Sequence, residues 1–161
     1  MRSRSKPVPL TADQEAFVRA LGRVMLVLPR AMDADLVRER RLSLSEYSTL
    51  MFLSEAPDRR LRMSDLANAC DLSLSGMTRI VARLEEDGLI ERSRCDEDGR
   101  GYNAVLTDAG LRRLEDAWPT HLDSVRRHVL DHLEGVDLTT LTRALQRFGT
   151  DARSASELRS G

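Results

Sequence analysis

The sequence has few aromatic residues and no long apolar run. Aromatics make up 4% of its 161 residues. Strands favour aromatic side chains, so their scarcity argues against a β-sandwich and favours an aliphatic helical core. No apolar run approaches the roughly 20 residues that a membrane-spanning helix needs, and no signal-peptide core follows the basic start. We therefore expect a cytoplasmic protein with no membrane partner.

Cysteine is also scarce. The two cysteines, Cys70 and Cys95, have no zinc-ligand spacing and suggest no disulfide framework. Cys70 ends a short predicted helix at an apolar position, which favours burial. Cys95 stands between Arg94 and three acids, whose effects on a thiolate oppose each other. A regulator that senses oxidants through Cys95 or Cys70 is one alternative for the function.

The chain lacks an excess of either charge. It has 25 basic and 26 acidic side chains, so a nucleic-acid binder of this composition must segregate its charges onto separate faces. Lys6 is the only lysine, and almost every positive charge is therefore a guanidinium. Arginine donates bidentate hydrogen bonds to phosphates and base edges, wherever it lies on the surface.

The length and the composition predict a single folded domain. Residues 1–10 and 151–161 have the composition of flexible tails. Residues 11–56 and 107–150 carry long apolar helical stripes that we expect to form a dimerisation region. Residues 57–106 between them are expected to form a separate lobe with shorter elements.

Two capping boxes mark the first helices. Thr11 and Gln14 have the spacing of such a box, and Ser43 and Glu46 repeat it. Pro29 removes a hydrogen bond inside the first helix, so we expect a kink there.

The next segment predicts two short helices joined by a tight turn. Ser64 is expected to cap the helix "DLANAC", and a second helix begins after Ser73 and stops at Gly88. This arrangement is a helix-turn-helix. Beyond it, "GLIERS" and "NAVLT" read as two strands around a tip, "RCDEDGRGY", at residues 94–102.

The rest of the chain reads as two helices. Thr107 caps a long one that is expected to run to Gly135, and Asp137 begins the last. The predicted fold is mainly α with a small β-wing, a winged helix-turn-helix between N- and C-terminal dimerisation helices.

The second helix of the helix-turn-helix is the candidate recognition helix. One of its faces is apolar, and small polar residues at its N-terminal end would let the other face enter a major groove. Arg79 has the reach to donate two hydrogen bonds to a guanine edge. A solvated polar face with no binding role is the competing interpretation. With residues of the neighbouring helix and of the wing, the predicted DNA-binding set is Ser64, Ser73, Ser75, Gly76, Thr78, Arg79, Arg83, Arg94, Asp98 and Arg100.

The charged tip of the hairpin fits a minor groove. An arginine inserted there gains from the strongly negative potential, and Arg100 is placed for that contact. Asp98, two positions earlier, could hold its guanidinium in a bidentate pair. A polar hairpin whose acids keep the sheet edge soluble is the alternative.

These segments resemble the MarR family of winged helix-turn-helix transcriptional regulators. The resemblance covers roughly residues 11–150 and is carried by "LSLSEYSTLMFL" and by "MSDLANACDLSLSGMTRIVARLEEDGLIERSRCDEDGRGYNAVLTDAG". The family's wing motif, aspartate-any-arginine, matches Asp98, Gly99 and Arg100. The family often has a further arginine next, where this chain has Gly101.

The resemblance implies a homodimeric repressor that binds a palindromic operator in double-stranded DNA. It also implies release by a small aromatic anion, for which Tyr47, Trp118 and His121 are the candidate pocket. The apolar stripes of the terminal helices are expected to be buried against another surface, and the same stripe on a second copy of the chain can provide it. The predicted dimerisation residues are Phe17, Leu21, Leu141, Leu145 and Phe148.

Two other classes of function compete. His128 and His132, with His121 on the same predicted helix, could suggest a metal pair. No nucleophile elbow, phosphate-binding glycine loop or Cys-His pairing accompanies them, so we expect no catalytic residue, metal or cofactor. The second alternative is a winged helix used only for protein–protein contact.

Overall fold

The computed structural model describes residues 8–94 and 101–157, and it describes residues 149–157 through their backbone alone. The backbone forms two compact units, Met1–Ser124 and Val125–Gly161. The elements are α1 (Ala12–Arg40), α2 (Leu44–Glu55), β1 (Arg60–Arg62), α3 (Met63–Ala69), α4 (Leu74–Glu86), β2 (Ile90–Arg94), β3 (Tyr102–Leu106), α5 (Asp108–His128) and α6 (Leu138–Glu157), with 3-10 turns at Pro57–Arg59 and Leu130–His132.

The two predicted capping boxes are confirmed. At the start of α1 the side chain of Thr11 accepts from the Gln14 amide, and the Gln14 side chain accepts from the Thr11 amide. Ser43 and Glu46 make the same reciprocal pair at the start of α2. Pro29 lies inside an uninterrupted α1.

The predicted helix-turn-helix is confirmed as α3 and α4, but the expected cap of α3 is wrong. Arg62 occupies the N-cap position without a side-chain hydrogen bond, and Ser64 lies in the first turn. The strand β1 runs directly into α3, which leaves no loop residue to cap it. Asp71, in the turn between α3 and α4, has the left-handed conformation, with φ of 53°. An aspartate tolerates that conformation better than most side chains.

The wing contains one strand more than the sequence predicted. Three strands form an antiparallel sheet in the order β1-β3-β2. Leu61 of β1 lies opposite Ala104 of β3, and Arg92 of β2 lies opposite the same alanine. A strand of three residues is too short to show an alternating pattern, so β1 had no local signal.

The core of the first unit lies between the helix-turn-helix, α2 and the sheet. Gly110, in the first turn of α5, lies so close to β2 that an added Cβ would meet the Leu89 carbonyl oxygen at 2.1 Å. The backbone there needs glycine because the contact is with main chain rather than with a flexible side chain. The fully buried apolar residues of the core include Leu36, Leu50, Leu53, Leu66, Met77, Val81, Ile90, Ala104 and Ala117.

Side-chain hydrogen bonds join α1 to α5. The buried Ser124 hydroxyl donates to Asp35 Oδ2 at 2.8 Å, so this buried carboxylate is satisfied from α5. Arg40 Nε donates to Thr120 Oγ1, also at 2.8 Å. These bonds fix the C-terminal end of α1 against α5 within the first unit.

In the second unit, two helix boundaries differ from the prediction. The helix expected to reach Gly135 ends at His128, because Val129 has non-helical angles and a 3-10 turn follows. The last helix begins as predicted, since Asp137 accepts from the amides of Thr139 and Thr140. It runs to Glu157, beyond the predicted end at residue 150. Across the described ranges, no helix combines the length and the apolar character needed to cross a bilayer.

Candidate nucleic-acid interface

The candidate recognition helix α4 has one buried apolar face and one exposed polar face, as predicted. Its apolar face is buried against the core, with Met77, Ile80, Val81 and Leu84 at 9% exposure or less. Its other face, with Ser75, Thr78 and Arg79, is exposed. Because the apolar face of α4 is buried in the core and its polar face is exposed, the polar face could enter a DNA groove without any change in the fold.

Hydrogen bonds fix the first turn of α4. Ser73 Oγ accepts from the Gly76 amide at 3.1 Å and lies 3.2 Å from Ser75 Oγ. Thr78 Oγ1 donates to the Leu74 carbonyl at 2.8 Å. These hydrogen bonds therefore orient the polar side chains of Ser73, Ser75 and Thr78 at the N-terminal end of α4 in the absence of a ligand.

The predicted arginines have different surroundings. Arg79 is exposed and makes no ion pair or hydrogen bond with any residue that the structure describes. Arg83 Nη1 lies 3.5 Å from Glu46 Oε1, and Glu46 is nearly buried because it also closes the α2 capping box. Arg94 is exposed at the end of β2, opposite Tyr102. Of the two predicted arginines of α4, Arg79 thus has no partner among the described residues, whereas the guanidinium of Arg83 forms an ion pair with Glu46.

A second arginine on β2 is already paired. Arg92 Nε donates to Glu85 Oε2 at 2.7 Å, and this hydrogen bond lowers the pKa of Glu85. The pair joins the C-terminal end of α4 to the wing. It also neutralises one of the acids in "EED", which the recognition helix carries at its far end.

A cavity of about 290 Å³ lies beside the first turn of α4. It brings together Ser64 and Thr78, which were both predicted to bind DNA. Arg62 and Tyr102 also line it, although the sequence did not predict that either residue binds DNA. The position of Tyr102 directly after the hairpin tip, next to Gly101, is the sequence feature that could have identified it as part of this site. The described residues that line the cavity are Arg62, Met63, Ser64, Leu74, Thr78, Gly101 and Tyr102.

The tip of the wing lies outside the described residues. Asp98 and Arg100, the predicted minor-groove pair, belong to that segment, as does Cys95. Their roles remain predictions. The described strands β2 and β3 end at Arg94 and begin at Tyr102, so the two sides of the wing are in place.

The three residues predicted to line a ligand pocket lie together. The rings of Tyr47 and His121 stack with centroids 4.4 Å apart, and Trp118 lies 6.0 Å from His121. Tyr47 is 1% exposed and Trp118 is 48% exposed, so the cluster leads from the interior to the surface. The hydroxyl of Tyr47 and Nδ1 of His121 are buried, and neither has a hydrogen-bond partner among the residues that the structure describes.

Burial shifts the pKa of both stacked groups. It raises the pKa of Tyr47 to about 12, with a smaller contribution from Glu55, and it lowers the pKa of His121. Both shifts favour the neutral form, so the cluster at neutral pH offers two uncharged, unsatisfied polar atoms beside aromatic faces.

The surroundings of Cys70 do not favour a reactive thiol, and the positions of His128 and His132 do not favour a metal pair. Burial raises the pKa of the Cys70 thiol, which disfavours the reactive thiolate. His128 ends α5, whereas His132 lies in the 3-10 turn. The helical spacing assumed for a metal pair is therefore wrong. Among the described residues, no group of three or more histidine, cysteine or acidic side chains is placed to hold a metal ion.

Comparison with known proteins gives a consistent result. Residues 42–101 match a family model described as MarR family. AbsC, a MarR family transcriptional regulator from Streptomyces coelicolor, is 36% identical with a TM-score of 0.82, over 92% of this chain and 99% of AbsC. Sco3205, a MarR family regulator from the same organism whose structure was solved in complex with DNA, is 33% identical with a TM-score of 0.82, over 91% of each chain.

A curated relative also matches part of the chain. The transcriptional repressor YetL of Bacillus subtilis is 33% identical over 86 residues, which are 53% of this chain and 52% of YetL. The chain thus spans about half the length of that relative. The relatives named here are regulators of transcription, not enzymes.

Proposed function

The chain belongs to the MarR family of transcriptional regulators, and on that premise we propose that it is a repressor that binds a palindromic operator as a homodimer. The observation that carries the proposal is the first turn of α4, where an exposed polar face is fixed by hydrogen bonds and includes the unpaired Arg79. Such a regulator acts on the genome, so we place it in the cytoplasm.

DNA binding in this proposal uses three contacts per subunit. Arg79 reads a guanine edge in the major groove, because arginine donates to both acceptors of that edge. Ser73 and Ser75, at the N-terminal end of α4, contact phosphates beside it. Arg94 and Arg100 of the wing contact the adjacent backbone and minor groove. Sco3205, which was solved with DNA, supports this mode as a relative of the same fold.

The homodimer is supported by apolar side chains that the monomer leaves exposed. In α1, Phe17 is exposed and Leu21 is partly exposed. In the second unit, Leu145 and Phe148 of α6 are exposed, and Leu141 is partly exposed. Exposed apolar stripes of this kind are covered in oligomers, and a two-fold symmetric pair covers the same stripe on both copies.

The decisive experiment is fluorescence anisotropy of the purified protein on DNA from upstream of its own gene. A scrambled duplex is the control, and salt is varied from about 50 mM to about 200 mM. Tight binding to the upstream fragment alone supports a sequence-specific, autoregulating repressor. Absence of binding to either duplex at low salt would contradict the proposal and favour a protein–protein interaction module.

We further propose that a small aromatic anion releases the operator by binding at Tyr47, His121 and Trp118. Its ring would extend the existing stack, and its polar groups would satisfy the two buried atoms that now have no partner. An unsatisfied buried polar group is unfavourable by about 1–3 kcal/mol. A ligand that satisfies both atoms would remove that unfavourable term.

Trp118 provides the readout for that ligand because it is the one tryptophan of the chain. Benzoate and its hydroxylated derivatives are titrated while tryptophan fluorescence is followed. Binding that weakens in Tyr47→Phe supports the pocket, since this variant keeps the ring and removes the hydroxyl. A response unchanged in Tyr47→Phe and in His121→Phe would place the ligand elsewhere.

A further inference from the structure

Two exposed apolar side chains on the lobe meet at one place. In the described part of the lobe, residues 57–94 and 101–106, the exposed large hydrophobic residues are Leu74, at 54%, and Tyr102, at 50%. Both line the cavity beside the first turn of α4. Every other large apolar side chain of α4 is buried, so Leu74 is the exception on a helix that otherwise keeps its two faces separate.

The remaining wall of the cavity is less polar than its residue types suggest. Thr78 donates its hydroxyl hydrogen to the Leu74 carbonyl. What it can offer to a partner is its methyl group and an acceptor lone pair. Met63 adds a further apolar side chain. We call the surface formed by Met63, Leu74, Thr78 and Tyr102 the Leu74 notch.

Three arginines line the Leu74 notch or lie next to residues that do. Arg62 lines the same cavity, and Arg79 follows Thr78 on α4. Arg94 lies directly opposite Tyr102 in the antiparallel pair, and side chains at such positions project from the same face of the sheet. An apolar surface with guanidinium groups near it is complementary to duplex DNA, where phosphates surround the few apolar groups that a groove exposes.

The major groove exposes one large apolar group, the 5-methyl of thymine, and proteins recognise it with apolar side chains. We propose that the Leu74 notch binds a thymine methyl in each half-site, with Leu74 as the specificity-determining residue. This inference rests on the proposed DNA-binding function and adds a base preference to it. Scattered exposed leucines are common on protein surfaces, but here two exposed apolar residues share one cavity on the recognition face.

The test removes single methyl groups from the DNA. A specific duplex is first selected from a random pool with the full-length protein. Each thymine is then replaced in turn by 2′-deoxyuridine, which lacks the 5-methyl and keeps all hydrogen-bonding groups. We expect one position per half-site at which this replacement weakens binding about fourfold, the effect of exposing one methyl group.

Variants assign that methyl to the notch. In Leu74→Ala and in Leu74→Gln, binding to the thymine and uracil duplexes should become equal within about twofold. Leu130→Ala is the matched control, because Leu130 is 45% exposed and lies outside the lobe. It should keep the full preference for thymine. Both Leu74 variants are expected to fold, since alanine and glutamine are good helix formers at an exposed site.

Two results would overturn the inference. One is a selected duplex in which no thymine is sensitive to loss of its methyl. The other is a thymine preference that persists unchanged in both Leu74 variants. In either case, specific and salt-dependent binding would leave the proposed repressor intact, whereas failure to select any duplex would count against the repressor itself.

Discussion

The helices α4 and α1 carry similar apolar stripes but use them differently. α4 buries all of its large apolar side chains except Leu74, whereas α1 buries Leu36 near its C-terminal end and exposes Phe17, Val24 and Met25. The apolar residues of α4 pack against other elements of the first unit. Most apolar residues of α1 have no such packing, so the apolar face of this long helix is available to a second chain.

The difference shows that an amphipathic pattern predicts a buried face without saying what buries it. In α4 the covering residues lie in neighbouring elements of the first unit, α3, β2 and α2. In α1 the exposed stripe is the strongest support for the homodimer.

The largest effect is expected for a charge on the α1 stripe. In Phe17→Asp, dimerisation would bury an unpaired carboxylate, which is unfavourable by about 3–5 kcal/mol and raises the dimer dissociation constant at least about a hundredfold. Sedimentation velocity over a dilution series measures it. Arg23→Asp, also exposed on α1, is the control for helix charge and should stay dimeric. Equal dimerisation of both variants would show that this stripe is not the interface.

A cavity in the α4 core is expected to have the next largest effect. Leu84 is buried, so Leu84→Ala should lower the free energy of unfolding by about 2–5 kcal/mol. The exposed Leu74 of the same helix is the matched control, and its alanine variant should change stability by less than about 0.5 kcal/mol. Urea unfolding compares the two. Similar losses in both would mean that the two leucines do not differ in burial in solution.

Alanine variants of Arg79 and Arg94 should affect DNA binding differently. Arg79→Ala is expected to weaken operator binding by about 1–3 kcal/mol and to relax sequence preference at one base pair. Arg94→Ala should weaken binding to all sequences alike and reduce the salt dependence, because it contacts phosphate. Anisotropy on operator and scrambled duplexes distinguishes them. Preserved sequence preference in Arg79→Ala would remove the guanine contact from the mechanism.

A small gain in DNA affinity is expected from Glu46→Gln. Glutamine can still accept from Ser43 in the capping box, but it no longer attracts Arg83 from 3.5 Å away. The released guanidinium should strengthen DNA binding by up to about fivefold, the scale of an exposed ion pair. Glu39→Gln, which removes the same charge from an Arg38 pair on α1, is the control. Equal gains in both would reflect net charge alone.

The smallest effect concerns pH and the aromatic cluster. The pKa of His121 is lowered by burial in the folded state, so the unfolded chain binds the proton more readily. Stability should therefore fall as pH drops through the unfolded value of 6.5 and level off below the folded value. His121→Phe keeps a ring against Tyr47 and should flatten this slope when Tm is followed from about pH 8 to about pH 5. An unchanged slope would assign the titration to another group.

The predictions from sequence succeeded where the signal was local. The capping boxes, the stop at Gly88 and the two faces of α4 depend on residues within four positions of each other, and the structure contains all of them. The Ser64 cap was wrong even though its signal was local, and two further misses had no local signal. Val129 interrupts a helix without any glycine or proline, and β1 is too short to show a period. The DNA-binding assignments of individual residues remain predictions.

The order of the helices and the apolar face of α4 follow from local sequence patterns, because capping, periodicity and glycine stops act through neighbouring residues. Which side chains contact each other depends on the tertiary structure. It stacked Tyr47 on His121, placed Arg83 against Glu46 and joined Leu74 to Tyr102 in one notch. These pairs lie 28 or more positions apart along the chain. Packing of the shared core fixes their distances, and no local pattern encodes that packing.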